Sequence, residues 1–175
     1  MKDKQRPETT ALQPANQITV GIVTISDRAS AGEYDDLGGP ALKQLAHKMG
    51  WHVLAEAIVP DKMTRIQETI RSFGKQGCGL ILTTGGTGIG ARDVTPEAIR
   101  AIMRVELPGF GEVMRAASMK ITPYAILSRN LAAVVDQALV IALPGKPSGA
   151  VECLSFVQGA IPHGVAVAQG TPTSC

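Results

Sequence analysis

A chain of 175 residues with 45% hydrophobic, 18% charged and 3% aromatic side chains has the size of one α/β domain with a sizeable core and is too short to favour two. Its formal charge of +2 comes from Lys and Arg scattered along the chain, with no basic run interleaved with aromatics, so a nucleic-acid-binding role is excluded. Few aromatics beside 19 Gly and 11 Pro predict aliphatic strands and helices joined by tight turns, as in a parallel or mixed sheet.

Residues 1–16 are polar, carry two prolines and show no periodicity, which predicts a mobile extension. The domain is expected over 17–170, with a flexible tail at 171–175. Ile18 to Ile25 is a β-branched run of strand length that stops at Ser26-Asp27-Arg28. A loop follows, through Gly32 to Asp36. Leu37, Ala41, Leu42, Leu45, Ala46 and Met49 recur at helical spacing before Gly50, a residue suited to end a helix. Trp51 to Val59 reads as the second strand, broken by Pro60-Asp61. Met63, Ile66, Ile70 and Phe73 mark one helix face that fades at Gly74 and Gly77.

Gly79 to Thr84 is the third strand and runs into Gly85-Gly86-Thr87-Gly88. Thr95 as N-cap and Pro96 in the first turn predict a short helix to about Met103. Pro108-Gly109-Phe110-Gly111 reads as a loop and Glu112 to Lys120 as a helix. Leu131 to Val135 and Ala138 to Leu143 are apolar runs separated by Asp136-Gln137, a hairpin pattern. Pro144-Gly145-Lys146-Pro147 ends the second run. A helix over Ser148 to Gln158 leads to an apolar segment that the pattern leaves unassigned.

Cys78, Cys153 and Cys175 have no paired metal-site spacing and read as reduced thiols. The first two fall on apolar elements and the last on the tail. His47, His52 and His163 form no dyad or triad pattern. The opening residues lack the apolar middle of a signal peptide, and no later run suggests a membrane span, so a soluble, cytoplasmic protein is expected.

Alternating strands and helices in the first half imply right-handed crossovers, which put the strand C-termini on one edge, where ligands of open α/β sheets bind. Ser26-Asp27-Arg28, Pro60-Asp61, the glycine turn with Asp93, and Pro144-Gly145-Lys146 (if its strand is parallel) would then share one rim. Successive glycines expose backbone amides to an anion, and Thr87 adds a hydroxyl, a combination suited to phosphate. It is neither a P-loop nor a dinucleotide fingerprint. The same glycines also serve a bare strand-to-helix turn. Asp61 and Asp93 suit Mg²⁺ beside a phosphate. Asp61 equally reads as a helix cap, Asp93 as a loop charge beside Arg92, and Asp27 with Arg28 as a solvated pair. Ser128, Arg129 and Lys146 offer further donors to a charged ligand.

Six blocks occur in order: Ile25 to Ser30, Thr83-Thr84-Gly85-Gly86-Thr87-Gly88, Arg92 to Ala98, Pro108 to Glu112, Ala125-Ile126-Leu127-Ser128-Arg129 and Leu143-Pro144-Gly145-Lys146-Pro147. Together they resemble the molybdopterin adenylyltransferases of molybdenum cofactor biosynthesis, over about Ile18 to Gly159. The resemblance implies a three-layer α/β/α sandwich with a mostly parallel, mixed sheet, and a homotrimer. It also implies transfer of AMP from Mg-ATP to the terminal phosphate of molybdopterin with release of pyrophosphate, and a molybdenum-insertion partner protein. Asp61 and Asp93 match its two catalytic acids, acting through Mg²⁺ and positioning. Gly85, Gly86, Thr87 and Gly88 match its ligand loop, while Ser128, Arg129, Pro144, Gly145, Lys146 and Pro147 match its substrate-side loops. Ser26, Asp27, Arg28 and Thr84 complete the expected substrate-binding set. The alternative is a pterin-binding or scaffold protein of the same fold without catalysis; a flavodoxin-like phosphate-binding regulator accounts for the turn but not for the later blocks.

Overall fold

The computed structural model describes residues 17–171; the expected extension at 1–16 and all but the first residue of the expected tail lie outside it. Six strands form one sheet in the order β2-β1-β3-β6-β5-β4. They are β1 (Thr19–Ile25), β2 (His52–Val59), β3 (Leu80–Thr84), β4 (Val105–Glu106), β5 (Leu131–Val135) and β6 (Ala138–Leu143). Strands β2, β1, β3 and β6 run parallel, while β5 pairs antiparallel with β6 and β4 antiparallel with β5. The sheet is therefore mixed and mostly parallel, as expected. The strands β1, β3, β5 and β6 are buried almost throughout, which is why they read as unbroken apolar runs rather than alternating ones.

Alternate residues of those strands feed two cores. Val20, Ile22, Leu80, Leu82, Leu139 and Ile141 pack on one face against α2 (Gly38–Lys48), α5 (Pro108–Ser118), α6 (Pro147–Val157) and α7 (Ile161–Ala168). Val23, Ile25, Ile81, Val140 and Ala142 pack on the other against α3 (Met63–Lys75) and α4 (Thr95–Arg100). The result is a three-layer α/β/α sandwich. Helix α3 shows the sequence logic most plainly: Ile66, Ile70 and Phe73 are buried at i, i+4 and i+7, each such side chain contributing about 1.5–3 kcal/mol by leaving water. Cys78 and Cys153 are buried in the two cores, in line with the sequence reading.

Several expectations need correction. Ser26 to Arg28 does not open a plain loop, because Ser26 caps a one-turn helix α1 (Asp27–Ser30) by accepting from the Ala29 N–H. Pro108-Gly109-Phe110-Gly111 is the first turn of α5 rather than a loop. Thr95 lies inside α4 and does not cap it. A five-residue 3₁₀ helix, Pro123–Leu127, and the two-residue strand β4 escaped the sequence reading. The unassigned C-terminal segment is α7. Pro147–Ala168, 22 residues including the short 3₁₀ turn between α6 and α7, is long and apolar enough to cross a membrane by composition alone. Ala150, Cys153, Leu154, Val157, Ile161 and Val165 are instead buried in the core.

Candidate active site at the strand C-terminal edge

β3 ends on the turn that the sequence singled out. Gly85 and Gly86 have φ of +105° and +64°, and a Cβ on Gly85 would lie 2.2 Å from the carbonyl oxygen of Ile25 at the end of β1. Only glycine fits, on both backbone and steric grounds. The turn is stitched to the end of β6: the Gly85 N–H donates to the Leu143 carbonyl (3.2 Å) and Thr84 Oγ1 to the Pro144 carbonyl (2.7 Å). From the other side, Thr95 donates its hydroxyl to the Gly85 carbonyl (2.9 Å) and its N–H to that of Gly86 (3.1 Å). No hydrogen bond among the described residues uses the N–H groups of Gly86, Thr87 and Gly88. Of the three, only Gly86 lines the cavity shared by Asp61 and Asp93, so its N–H is the donor set beside an anion there.

The acids come from the neighbouring strand ends. The Asp61 carboxylate does not cap α3, whose N-cap is Lys62 with no side-chain bond. Its Oδ2 accepts from the Asp27 N–H (2.8 Å), and Asp27 Oδ1 accepts from the Asp61 N–H (3.0 Å). Asp27 does not pair with Arg28; its Oδ2 takes two bonds from Arg92, at 2.9 and 2.6 Å. Burial pushes the Asp61 carboxyl above its usual value, and the negative charges of Asp27 and Asp93 add to this against the Asp27 N–H, which pulls it down. Asp27 is drawn up by burial, but the Arg92 hydrogen bond, the Asp61 N–H and the Arg92 charge outweigh it and leave the carboxyl below its usual value. Asp93 Oδ2 accepts from the Gly90 N–H (2.7 Å).

A cavity of about 400 Å³ opens between these loops, lined by Ser26, Asp61, Thr84, Gly85, Gly86, Asp93, Gly145 and Pro147. Four loops distant in sequence therefore share one rim, because β6 is parallel to β3. Among the remaining lining residues, Tyr34, Asp36 and Gly38 were not singled out as site residues from the sequence. Asp36 Oδ1 accepts from the N–H groups of Gly38 and Gly39 (2.9 and 3.1 Å) and its Oδ2 from Thr24 Oγ1 (2.7 Å). An Asp two residues ahead of a helix start is a recognisable capping signal. Tyr34 shares a 3.0 Å hydrogen bond with Ser26 Oγ, and nothing local in the sequence announces it.

Across the Pro144–Pro147 turn lies a second cavity of about 550 Å³, lined among others by Ser128, Asn130, Pro144, Lys146, Ser148 and Glu152. Ser128 Oγ and Asn130 Oδ1 are buried there without a hydrogen-bond partner among the described residues. Thr87 is buried. Arg28 lies outside both cavities, 3.5 Å from Glu33 and 5.0 Å from the Tyr34 ring centre. Arg129 also lines neither; its donors go to the backs of the glycine turn and Asp93.

The donor set accommodates a Mg²⁺ ion. Asp61 Oδ1 carries no hydrogen bond among the described residues and faces the Gly86 turn, 3.1 Å from where a Cβ would stand, while two like charges press on the same carboxyl. Among the described residues no cluster of three or more His, Cys, Asp or Glu side chains could hold a metal alone. Mg²⁺ ordinarily binds through one or two carboxylates completed by phosphate oxygens and water.

Comparison with known proteins agrees with this geometry. The family described as "Probable molybdopterin binding domain" matches residues 21–163. The chain is 43% identical over 152 residues to the molybdopterin adenylyltransferase of Helicobacter pylori strain J99, covering 83% of this chain and 85% of that protein. It is 42% identical over 157 residues to the molybdopterin adenylyltransferase of Escherichia coli K12, covering 86% and 80% respectively. Among solved structures, the molybdopterin biosynthesis enzyme MoaB of Thermus thermophilus superposes with a TM-score of 0.83 at 38% identity, over 90% of this chain and all of that one.

Proposed function

The chain belongs to the molybdopterin-binding domain family, and we propose from this premise that it is a molybdopterin adenylyltransferase, a nucleotidyltransferase of molybdenum cofactor biosynthesis. The relatives of that name, matched over most of both chains, support the activity. The observation that carries it in this molecule is the meeting of Asp61 and Asp93 with the Gly85-Gly86 turn around one cavity.

In the proposed reaction an oxygen of the terminal phosphate of molybdopterin attacks the α-phosphorus of ATP. The new P–O bond forms as the bond to the β-phosphate oxygen breaks, and pyrophosphate leaves with the electron pair. Such transfers depend on alignment and on neutralising charge at the phosphates. The Gly86 N–H, on the cavity wall, binds a phosphate oxygen. Helices α2 and α6 begin at the same rim and bring their partial positive ends to it. Mg²⁺, held by Asp61 and Asp93, would neutralise phosphate charge when bound. Asp27 and Arg92 fix the Asp61 carboxylate. Ser128 and Lys146 extend the binding surface into the second cavity, giving a two-substrate reaction room on both sides of the Pro144–Pro147 turn. A soluble cytoplasmic homotrimer that meets a molybdenum-insertion partner completes the proposal, on the strength of the family likeness.

The purified protein with Mg-ATP is expected to convert molybdopterin to an adenylated product with one pyrophosphate per turnover. Asp93→Asn should largely abolish turnover and leave pterin binding intact. Pterin binding by the wild type with no nucleotide-dependent product would overturn the enzymatic reading in favour of a pterin-binding scaffold; full activity of Asp93→Asn would remove that residue from the mechanism.

A further inference from the structure

Arg129, one of the expected substrate-binding residues, spends its donors on the loop that carries the glycine turn. Its N–H donates to the Thr87 carbonyl at 2.9 Å. Its guanidinium donates from Nε to the Gly88 carbonyl (2.7 Å), from Nη2 to the Asp93 carbonyl (2.6 Å) and from Nη1 to Glu97 Oε1. One side chain thus grips the loop at both ends, at the last residue of the glycine turn and at the second acid. Glu97, on the first turn of α4, holds the guanidinium from outside. Charge-assisted bonds of this kind are among the stronger hydrogen bonds, and the planar fork sets direction as well as distance. Arg129 lines a cavity of about 270 Å³ that shares Ser128 and Asn130 with the second cavity and includes neither Asp61 nor Asp93.

We propose that Arg129, oriented by Glu97, is a positioning residue: it fixes the segment 87–93 so that the end of the glycine turn and the Asp93 carboxylate meet the phosphates in one geometry. The proposal deepens the adenylyltransferase reading of this site, yet its first test requires no turnover.

Hydrogen exchange of the ligand-free protein, followed by mass spectrometry over residues 85–95, should quicken about tenfold or more in Arg129→Ala while the strands keep wild-type protection. Arg129→Lys, with one point charge in place of a fork, should restore this only in part, and Glu97→Ala should loosen the same segment. Where the protein turns over, kcat should fall ~10–100-fold with KM for both substrates within about threefold of wild type, the signature of misplacement rather than lost binding. Unchanged exchange together with a raised KM and preserved kcat would make Arg129 a ligand contact and overturn the proposal. Exchange that quickens equally throughout the sheet would reduce it to a general stability residue and do the same. If Arg129→Ala does not fold, Arg129→Lys and Glu97→Ala carry the exchange test. An inactive wild type whose segment 85–95 still loosens on substitution would sink the adenylyltransferase reading and leave the positioning role standing.

Discussion

Asp27 and Asp61 hold each other's backbones: each carboxylate accepts the other residue's N–H, at 3.0 and 2.8 Å, across 34 residues of sequence. The pair locks the start of α1 to the loop after β2 and leaves one oxygen of Asp61 facing the glycine turn. Asp27→Ala removes the acceptor for the Asp61 N–H together with the Arg92 partner. Misplacement of a reacting group by about 1 Å costs on the order of 100-fold in rate, so a fall in kcat of ~10–100-fold is expected. Asp27→Asn keeps an amide oxygen at the same position and should be milder. Steady-state kinetics of the two variants, compared at equal Mg²⁺, checks this.

Gly85→Ala should be among the most damaging single substitutions in the protein. The added methyl would meet a backbone oxygen at 2.2 Å in a residue with φ of +105°, and the strain of that backbone region alone costs about 1–3 kcal/mol. A loss of ~3 kcal/mol or more by urea titration is expected, with phosphate binding lost in whatever fraction folds.

Thr95 is fully buried, and its hydroxyl donates to the Gly85 carbonyl. Thr95→Val keeps the shape and leaves that carbonyl short of a donor, a change worth about 1–3 kcal/mol. Thr95→Ser should recover most of the stability. Since the bond closes the turn that carries the free amides, affinity for ATP should fall in parallel, measurable by calorimetric titration.

Two carboxyls should give opposite pH signatures. The Asp61 carboxyl sits above its ordinary value, so its protonated form suits the fold: its favourable contribution is present below the unfolded-state value and lost as pH rises through the folded one. Asp61→Asn should therefore raise Tm at pH 7, and the gain should vanish in acid. Glu106 is held below its ordinary value first by hydrogen bonds from Arg100, at 3.0 and 2.9 Å. Its contribution is present above the unfolded-state value and lost as pH falls through the folded one. Glu106→Gln should cost ~0.5–1 kcal/mol at pH 7, the range of a partly exposed ion pair, and nothing at low pH. Thermal unfolding of both variants against wild type from pH 3 to 8 reads the two signs together.

Much of the fold is written in local pattern. Leu131 to Val135, Asp136-Gln137 and Ala138 to Leu143 resolve into a hairpin with the predicted limits, because buried strands are apolar throughout and Asp136 tolerates the φ of +51° that the turn requires. The shared rim was legible through topology, since crossovers fix where strand ends must lie. Start and stop signals failed where glycine served packing instead. Gly111 looks like a breaker, yet it lets α5 approach the chain: a Cβ there would stand 2.5 Å from the Asn130 carbonyl oxygen. Helix α7 has too little polar character for a period to show, and β4 exists only through its pairing with β5. The partners of Asp27, Asp61 and Arg129 were illegible for a different reason. Asp27 and Asp61 each have a plausible local role and Arg129 a plausible ligand, yet in the fold each is claimed by a group more than thirty residues away.

The sheet order places β6, the last strand made, between β3 and β5, and it carries the turn to which Thr84 and Gly85 are tied. The site has therefore no early form. A nascent or refolding chain can finish β1, β2 and β3 and still lack one wall of the cleft, because closing these long-range pairings is the slow part of building such a sheet. Regained ligand binding is thus expected to trail the recovery of helical signal in refolding, and to mark the moment the final strand slots into the middle of the sheet.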